Sequence, residues 1–317
     1  MIFTFGCQQP PQSERTPTPG QPAVKDTVDV KTTALEGGPM KRLLPVKGAL
    51  LSTRFKSLEE LKEVVQIEYD KGGAPSVRLT HRSEGRQVVS VLKTGISEKE
   101  IKRAKDGSLW DKVRLGLRAP YIAIKRHDLM RILLLARRRG YLFGEGDAAF
   151  YDLSEEILYN ISDEDIAHMH SEDLSEKGYF NAFNHITAQA FMTSIFSEKM
   201  ADFIAHTHER GTMPELITGA FTNDQLEDLE YGPIDNYVDI INNEWGQELG
   251  KQLSEKYQID RYTHWTAELL ANYLNDIQRY YSWAFQIGFQ PFTTQDEVVQ
   301  KFSKKINRIM TDESLLR

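Results

Sequence analysis

The chain predicts a mainly α fold: a helical C-terminal domain preceded by a small α+β module and a disordered N-terminal tail. Three observations support this. From Leu153 onward apolar residues recur at helical spacing. Two short β-branched runs flank Ser83-Glu84-Gly85. Residues 1–40 are rich in Pro, Gln, Thr and Gly, with too little apolar surface to offset the entropy of ordering.

Charge divides the chain at the same place. Residues 41–140 carry 24 Lys+Arg against 11 Asp+Glu, and residues 141–317 carry 12 against 31. A boundary near Gly140 follows, giving a tail (1–40), a basic module (41–140) and an acidic helical domain (141–317). The basic block fits either attraction to the acidic half or contact with an anionic lipid or nucleic-acid surface.

The only cysteine is Cys7, so neither an intramolecular disulfide nor a CxxC metal motif is available. Met1 to Cys7 resembles the end of a bacterial lipoprotein signal, with Gly6 before the cysteine that takes the lipid. That resemblance implies membrane attachment through Cys7 and a lipid-anchored place in the cell envelope. The short apolar segment and the missing basic start leave a cytoplasmic tail as the alternative. The longest apolar run, Ile132 to Ala136, is far shorter than a bilayer requires.

Along the module, Ser57 caps a helix running to about Tyr69. Ser76–Thr80 and Gln87–Leu92 form a hairpin, and Ser97-x-x-Glu100 is a capping box that opens another helix. His127–Arg139 reads as a helix ending in three arginines, with Gly140 as its C′ residue. Gly144-Glu145-Gly146 lacks the rest of a phosphate-loop fingerprint. Further helices are expected near 154–160, 163–170, 180–195, 198–209, 223–230, 233–256, 262–287 and 294–310. Pro233 serves as an N1 residue and Thr294-x-x-Glu297 as a second capping box.

The helical half carries a spaced set of polar groups: His185, then His208-Glu209, then Asp239, Asn242 and Asn243. At 100° per residue Asp235, Asp239, Asn242, Asn243, Gly246 and Gly250 share one sector of the 233–256 helix. A glycine inside a helix costs roughly 1 kcal/mol relative to Ala, so two on that sector predict a close helix contact that turns the stripe inward. The residues 180–195 are apolar all round, as in a buried helix that holds His185 in the core.

Two chemistries fit these six residues. His185, His208, Glu209 and Asp239 are nitrogen and oxygen donors suited to a divalent metal such as zinc, although adjacent residues 208 and 209 should not point the same way. Alternatively a histidine acts as general base, oriented by Asp239 or Glu209, with Asn242 and Asn243 holding an oxyanion. Water is then the nucleophile, because no G-x-S-x-G elbow is present. The bland reading is a buried hydrogen-bond network that only fixes helix packing, in a non-catalytic interaction protein.

Ala182, Phe183, His185, Ala201, His208, Glu209, Asp239, Asn242, Asn243 and Gly246 match in type and spacing a D-A-F-R-H … H-E … D-x-x-N-N-x-x-G pattern. The chain thereby resembles, over about residues 180–250, an uncharacterised helical domain family of bacterial secreted, surface and toxin-associated proteins. Asn181 stands where that pattern has Asp, Asn184 where it has Arg, and Ser197 where it has Gly. The resemblance implies a secreted or surface location and brings no established reaction.

Overall fold

The computed structural model describes residues 44, 46–70, 72–228 and 232–316. Cys7 and the tail lie outside them. The described chain is mainly helical with one small antiparallel sheet.

The first part runs α1 (Leu58–Lys62), β1 (Val65–Asp70), β2 (Ser76–Ser83), β3 (Arg86–Lys93), α2 (Glu98–Asp106), α3 (Leu109–Arg118), α4 (Pro120–Ile124) and α5 (Arg126–Leu135). The helical part continues with α6 (Gly140–Phe143), α7 (Phe150–Tyr159), α8 (Asp163–Ile166), α9 (Tyr179–Ile195) and α10 (Glu198–Glu209). It ends with α11 (Glu215–Thr218), α12 (Asn223–Glu227), α13 (Pro233–Tyr257), α14 (Ala267–Phe285) and α15 (Glu297–Thr311).

Four local expectations need correction. Ser57 does cap a helix, accepting from Glu60 N–H, but that helix stops at Lys62. Val65–Asp70 forms a third strand, because its apolar and polar residues alternate and it pairs with β2 from Val65↔His81 to Asp70↔Ser76. The helix at 126 ends at Leu135, before the arginines, and Gly140 begins α6 instead of capping α5. The N-cap of α15 is Asp296, not Thr294; its carboxylate instead accepts from Thr293 N–H and Oγ1–H.

The sheet has the order β1-β2-β3. Its hairpin turns through Glu84 (φ 47°) and Gly85 (φ 80°), the positive-φ pair of a two-residue turn matched to strand twist. Val77, Leu79, His81, Val88, Ser90 and Leu92 form its inner face, placed by the period-2 alternation of strands. That face lies on α13 and α10. Trp245 Nε1–H donates to His81 Nδ1 (3.0 Å), and Ser90 Oγ lies 2.9 Å from His206 Nε2. One hydrophobic cluster joins Val65, Val77 and Leu92 of the sheet to Ile186, Ile241 and Trp245 of the helices.

The helical half is organised around α9, buried from Phe180 to Ile195, packed along α13. Both interior glycines of α13 make this approach possible. A Cβ at Gly246 would sit 2.8 Å from the Ile186 carbonyl oxygen, and one at Gly250 2.6 Å from that of Ala190. Any side chain there would push the two helices apart and with them the polar groups they carry.

Candidate metal centre

α9, α13 and α10 each contribute one principal donor. His185 projects from α9, Asp239 from α13 two turns before Gly246, and Glu209 from the last turn of α10. One ligand atom from each of the three lies within 4.8 Å of the others. All three side chains are buried. His185 and Glu209 border a cavity of about 10 Å³, with Asn184, His208 and Asn243 also in its wall. That is the space of a single water or ion.

The hydrogen bonds fix the protonation pattern. Asn243 donates its amide to Glu209, leaving its carbonyl Oδ1 to accept from His185 Nδ1–H at 3.0 Å. His185 Nε2 therefore presents a lone pair, and what it faces at 3.3 Å is Asp239 Oδ2. Asn181 Nδ2–H donates to the other oxygen, Asp239 Oδ1, at 2.7 Å. Glu209 Oε1 is buried with no hydrogen-bond partner. Two acceptors face each other beside an unsatisfied third, an arrangement stable only with a proton or a cation between them.

Electrostatics agree. Burial drives the His185 imidazole down to about 4, so it is neutral at pH 7. Burial also raises the carboxyls of Glu209 and Asp239, which lie in one another's field. Asp235, one turn earlier on α13, is lifted to about 7 by burial and by Asp239, against the opposing charge of Lys177 at 2.9 Å. With no cation present, the centre holds its negative charge down by keeping protons.

His208 also borders the cavity but takes a different role. Of the neighbouring residues 208 and 209, both at the cavity wall, Glu209 joins the donor trio and His208 does not. Its Nδ1 lies 3.3 Å from Glu98 Oε2, at the first residue of α2. Burial alone would lower His208, but that hydrogen bond and the charge of Glu209 raise it to about 9, so it is an imidazolium at neutral pH. A protonated ring offers no lone pair to a metal. The structure thus assembles His185, Glu209, Asp239 and Asn243, with His208 on the rim.

Asn242 is elsewhere. Its Oδ1 accepts from Leu50 N–H (2.8 Å) and its Nδ2–H donates to Leu50 O (2.9 Å), clamping the segment before α1. Its neighbour Gly48 approaches the Trp245 ring so closely that a Cβ would lie 2.1 Å from it. Glu98, 110 residues from its partner, had no signal at the sequence level, whereas Asn181, which orients Asp239, stands at the first position of the motif and only its partner was unforeseen.

A second trio, Asp202, His206 and Glu244, also brings ligand atoms within 4.8 Å. Asp202 Oδ1 and Ser90 Oγ both approach the same ring atom, His206 Nε2, at 3.1 and 2.9 Å, so no Ser-His-Asp relay exists there. The positive charge of Arg210 bears on Asp202 and His206 and opposes a cation at that place.

No protein-family model, curated protein or solved structure matches the chain.

Proposed function

We propose that the protein is a metal-dependent hydrolase of the cell envelope, with a divalent cation of the zinc class held by His185, Glu209 and Asp239. One observation carries this: the lone pair of His185 Nε2 faces Asp239 Oδ2 at 3.3 Å beside the partnerless Glu209 Oε1. A neutral imidazole with two carboxylates is a donor set that zinc takes, and three protein ligands leave a fourth position for water. A cation held by these residues would supply the acidity that activates water for hydrolysis near neutral pH.

The chain's own residues supply the rest. Asn243 holds the tautomer that exposes Nε2, and Asn181 orients Asp239, the supporting contacts a ligand set needs. His208, charged through Glu98, stands on the cavity wall as the available proton donor to a leaving group. The envelope location rests on the Cys7 pattern and the surface-protein motif likeness.

The test is metal analysis of full-length protein prepared without chelator, with hydrolysis of nitrophenyl esters and phosphodiesters as the activity readout. About one equivalent of zinc, lost in Glu209→Gln together with any hydrolysis, is expected. Wild-type protein that contains no metal and takes up no added zinc refutes the proposal. The cavity volume, which admits one water but no substrate, favours a second reading in which the ion or a shared proton only fixes helix packing. Stoichiometric metal with no chelator-sensitive hydrolysis would select it.

A further inference from the structure

We propose that α3, with the end of α4, is a docking site for an anionic phospholipid surface. No residue of α3 is buried. Leu109, Trp110 and Leu117 are 76%, 81% and 80% exposed, and Ile124 of α4 is 77% exposed. Core helices of this chain do the opposite, burying Trp245 and Trp265 almost completely.

The placement is ordered. At 100° per residue Leu109, Val113, Leu117 and Trp110 fall within an arc of about 100°. Lys112 flanks that arc on one side, and Arg114 and Arg118 on the other. An apolar stripe with a tryptophan, bordered by cations on both sides, is the arrangement of a helix lying in a membrane interface. Residues 98–126 hold nine Lys/Arg against four Asp/Glu. Lys99, Lys102, Arg103, Lys112, Arg114 and Arg126 are exposed.

Lys99 Nζ–H reaches the Gly211 carbonyl at 3.3 Å, but these cations form no described ion pair with the acidic half. Among the described ion pairs linking residues 41–140 to 141–317, Arg138 meets Asp152 and Glu155, while Asp128 and Glu98 supply the acid to Arg261 and His208. None uses a cation of α2, α3 or α4. Tyr121 of α4 anchors the segment to α10 through Phe203 at 5.4 Å, and Arg118 of α3 pairs with Glu100 of α2. The stripe is thus carried on a seated platform facing outward. Its charge complement is a phosphate-rich surface, where each nearby cation contributes about a factor of five in affinity. The inference depends on neither the metal nor a lipid on Cys7.

The experiment uses the full chain carrying Cys7→Ser, mixed with phosphatidylcholine vesicles with or without phosphatidylserine, and reads cosedimentation and tryptophan emission. Binding to the phosphatidylserine vesicles with a blue shift is expected, at least about tenfold weaker at high salt or in Lys112→Glu/Arg114→Glu. Leu117→Ser should weaken binding without lowering Tm, since that side chain touches no core. Trp110→Phe should keep binding and lose most of the blue shift. Equal binding to both vesicle types, binding unchanged in Leu117→Ser, or no binding at all overturns the proposal. Concentration-dependent self-association abolished by Leu117→Ser also overturns it, in favour of a second copy of the chain.

Discussion

If a divalent cation replaces protons between His185, Glu209 and Asp239, its stabilisation should be measurable and should grow with pH. At zinc a hundredfold above its dissociation constant the native state gains about 2.7 kcal/mol. The described chain is roughly 270 residues, and at about 2.1 cal/mol/K per residue its unfolding entropy is near 0.6 kcal/mol/K, so Tm should rise by about 5 °C. Without the metal, the raised carboxyls of Glu209 and Asp239 bind more protons folded than unfolded. Stability is therefore full below the usual carboxylate range and is lost as pH climbs through their folded values. His208, raised to about 9, acts in the same sense between about 6.5 and 9. His185, lowered to about 4, contributes the opposite slope, but only below about 6.5. Metal-free protein should thus lose stability from pH 7 to 9, while zinc binding, which expels the protons, should tighten about tenfold per pH unit for each proton released. The assay is thermal unfolding at several pH values with and without zinc, repeated on Asp239→Asn, which keeps an acceptor for Asn181. A wild-type shift that is absent, or equal in the variant, or falling with pH, would refute the reasoning.

Three further outcomes separate the roles assigned above. Gly246→Ala gains about 1 kcal/mol of helix propensity but places a Cβ 2.8 Å from the Ile186 carbonyl oxygen; urea unfolding should show a net loss of about 1–3 kcal/mol, with weaker zinc binding. Asn242→Ala strands the buried N–H and C=O of Leu50, so chemical denaturation should report about 2–4 kcal/mol lost, while zinc affinity stays unchanged. Glu98→Gln removes the partner that keeps His208 charged, and NMR titration should find its pKa well below about 9.

The helical skeleton was legible because its signals are local. Ser197 caps α10 as its sequence suggests, accepting from Met200 N–H, and Pro233 begins α13 at N1. The facing of Asp239 and Asn243 toward His185 was legible too, since glycine pays off inside a helix only where another backbone comes close. Residue phase could not say that Asn242, in the same sector, would turn to Leu50, 192 positions away. Nor could it show that Val65–Asp70 leaves the helical frame, because a run that pairs with β2 is decided by its partner strand. Long-range contacts of single polar groups leave no periodic trace, and Glu98 is the clearest case.

Glu98 also changes what the charge asymmetry means. It is an acid at the head of a basic segment, and it spends its carboxylate on His208, across the boundary between the two charge blocks. Ser90, on the sheet of the same basic part, meets His206, two residues before His208 on α10. The sheet thus packs on α10, and α2 sets the charge of one rim residue of the helical centre. α3, with its exposed stripe, packs directly on α2. A load on α3 reaches Glu98 through one short helix that is tied to α3 by the Arg118–Glu100 pair. Anionic vesicles should then move the His208 ring resonances of wild-type protein and leave those of Arg118→Ala less affected. Identical spectra with and without bound vesicles would show that the two features, though neighbours in the fold, act apart.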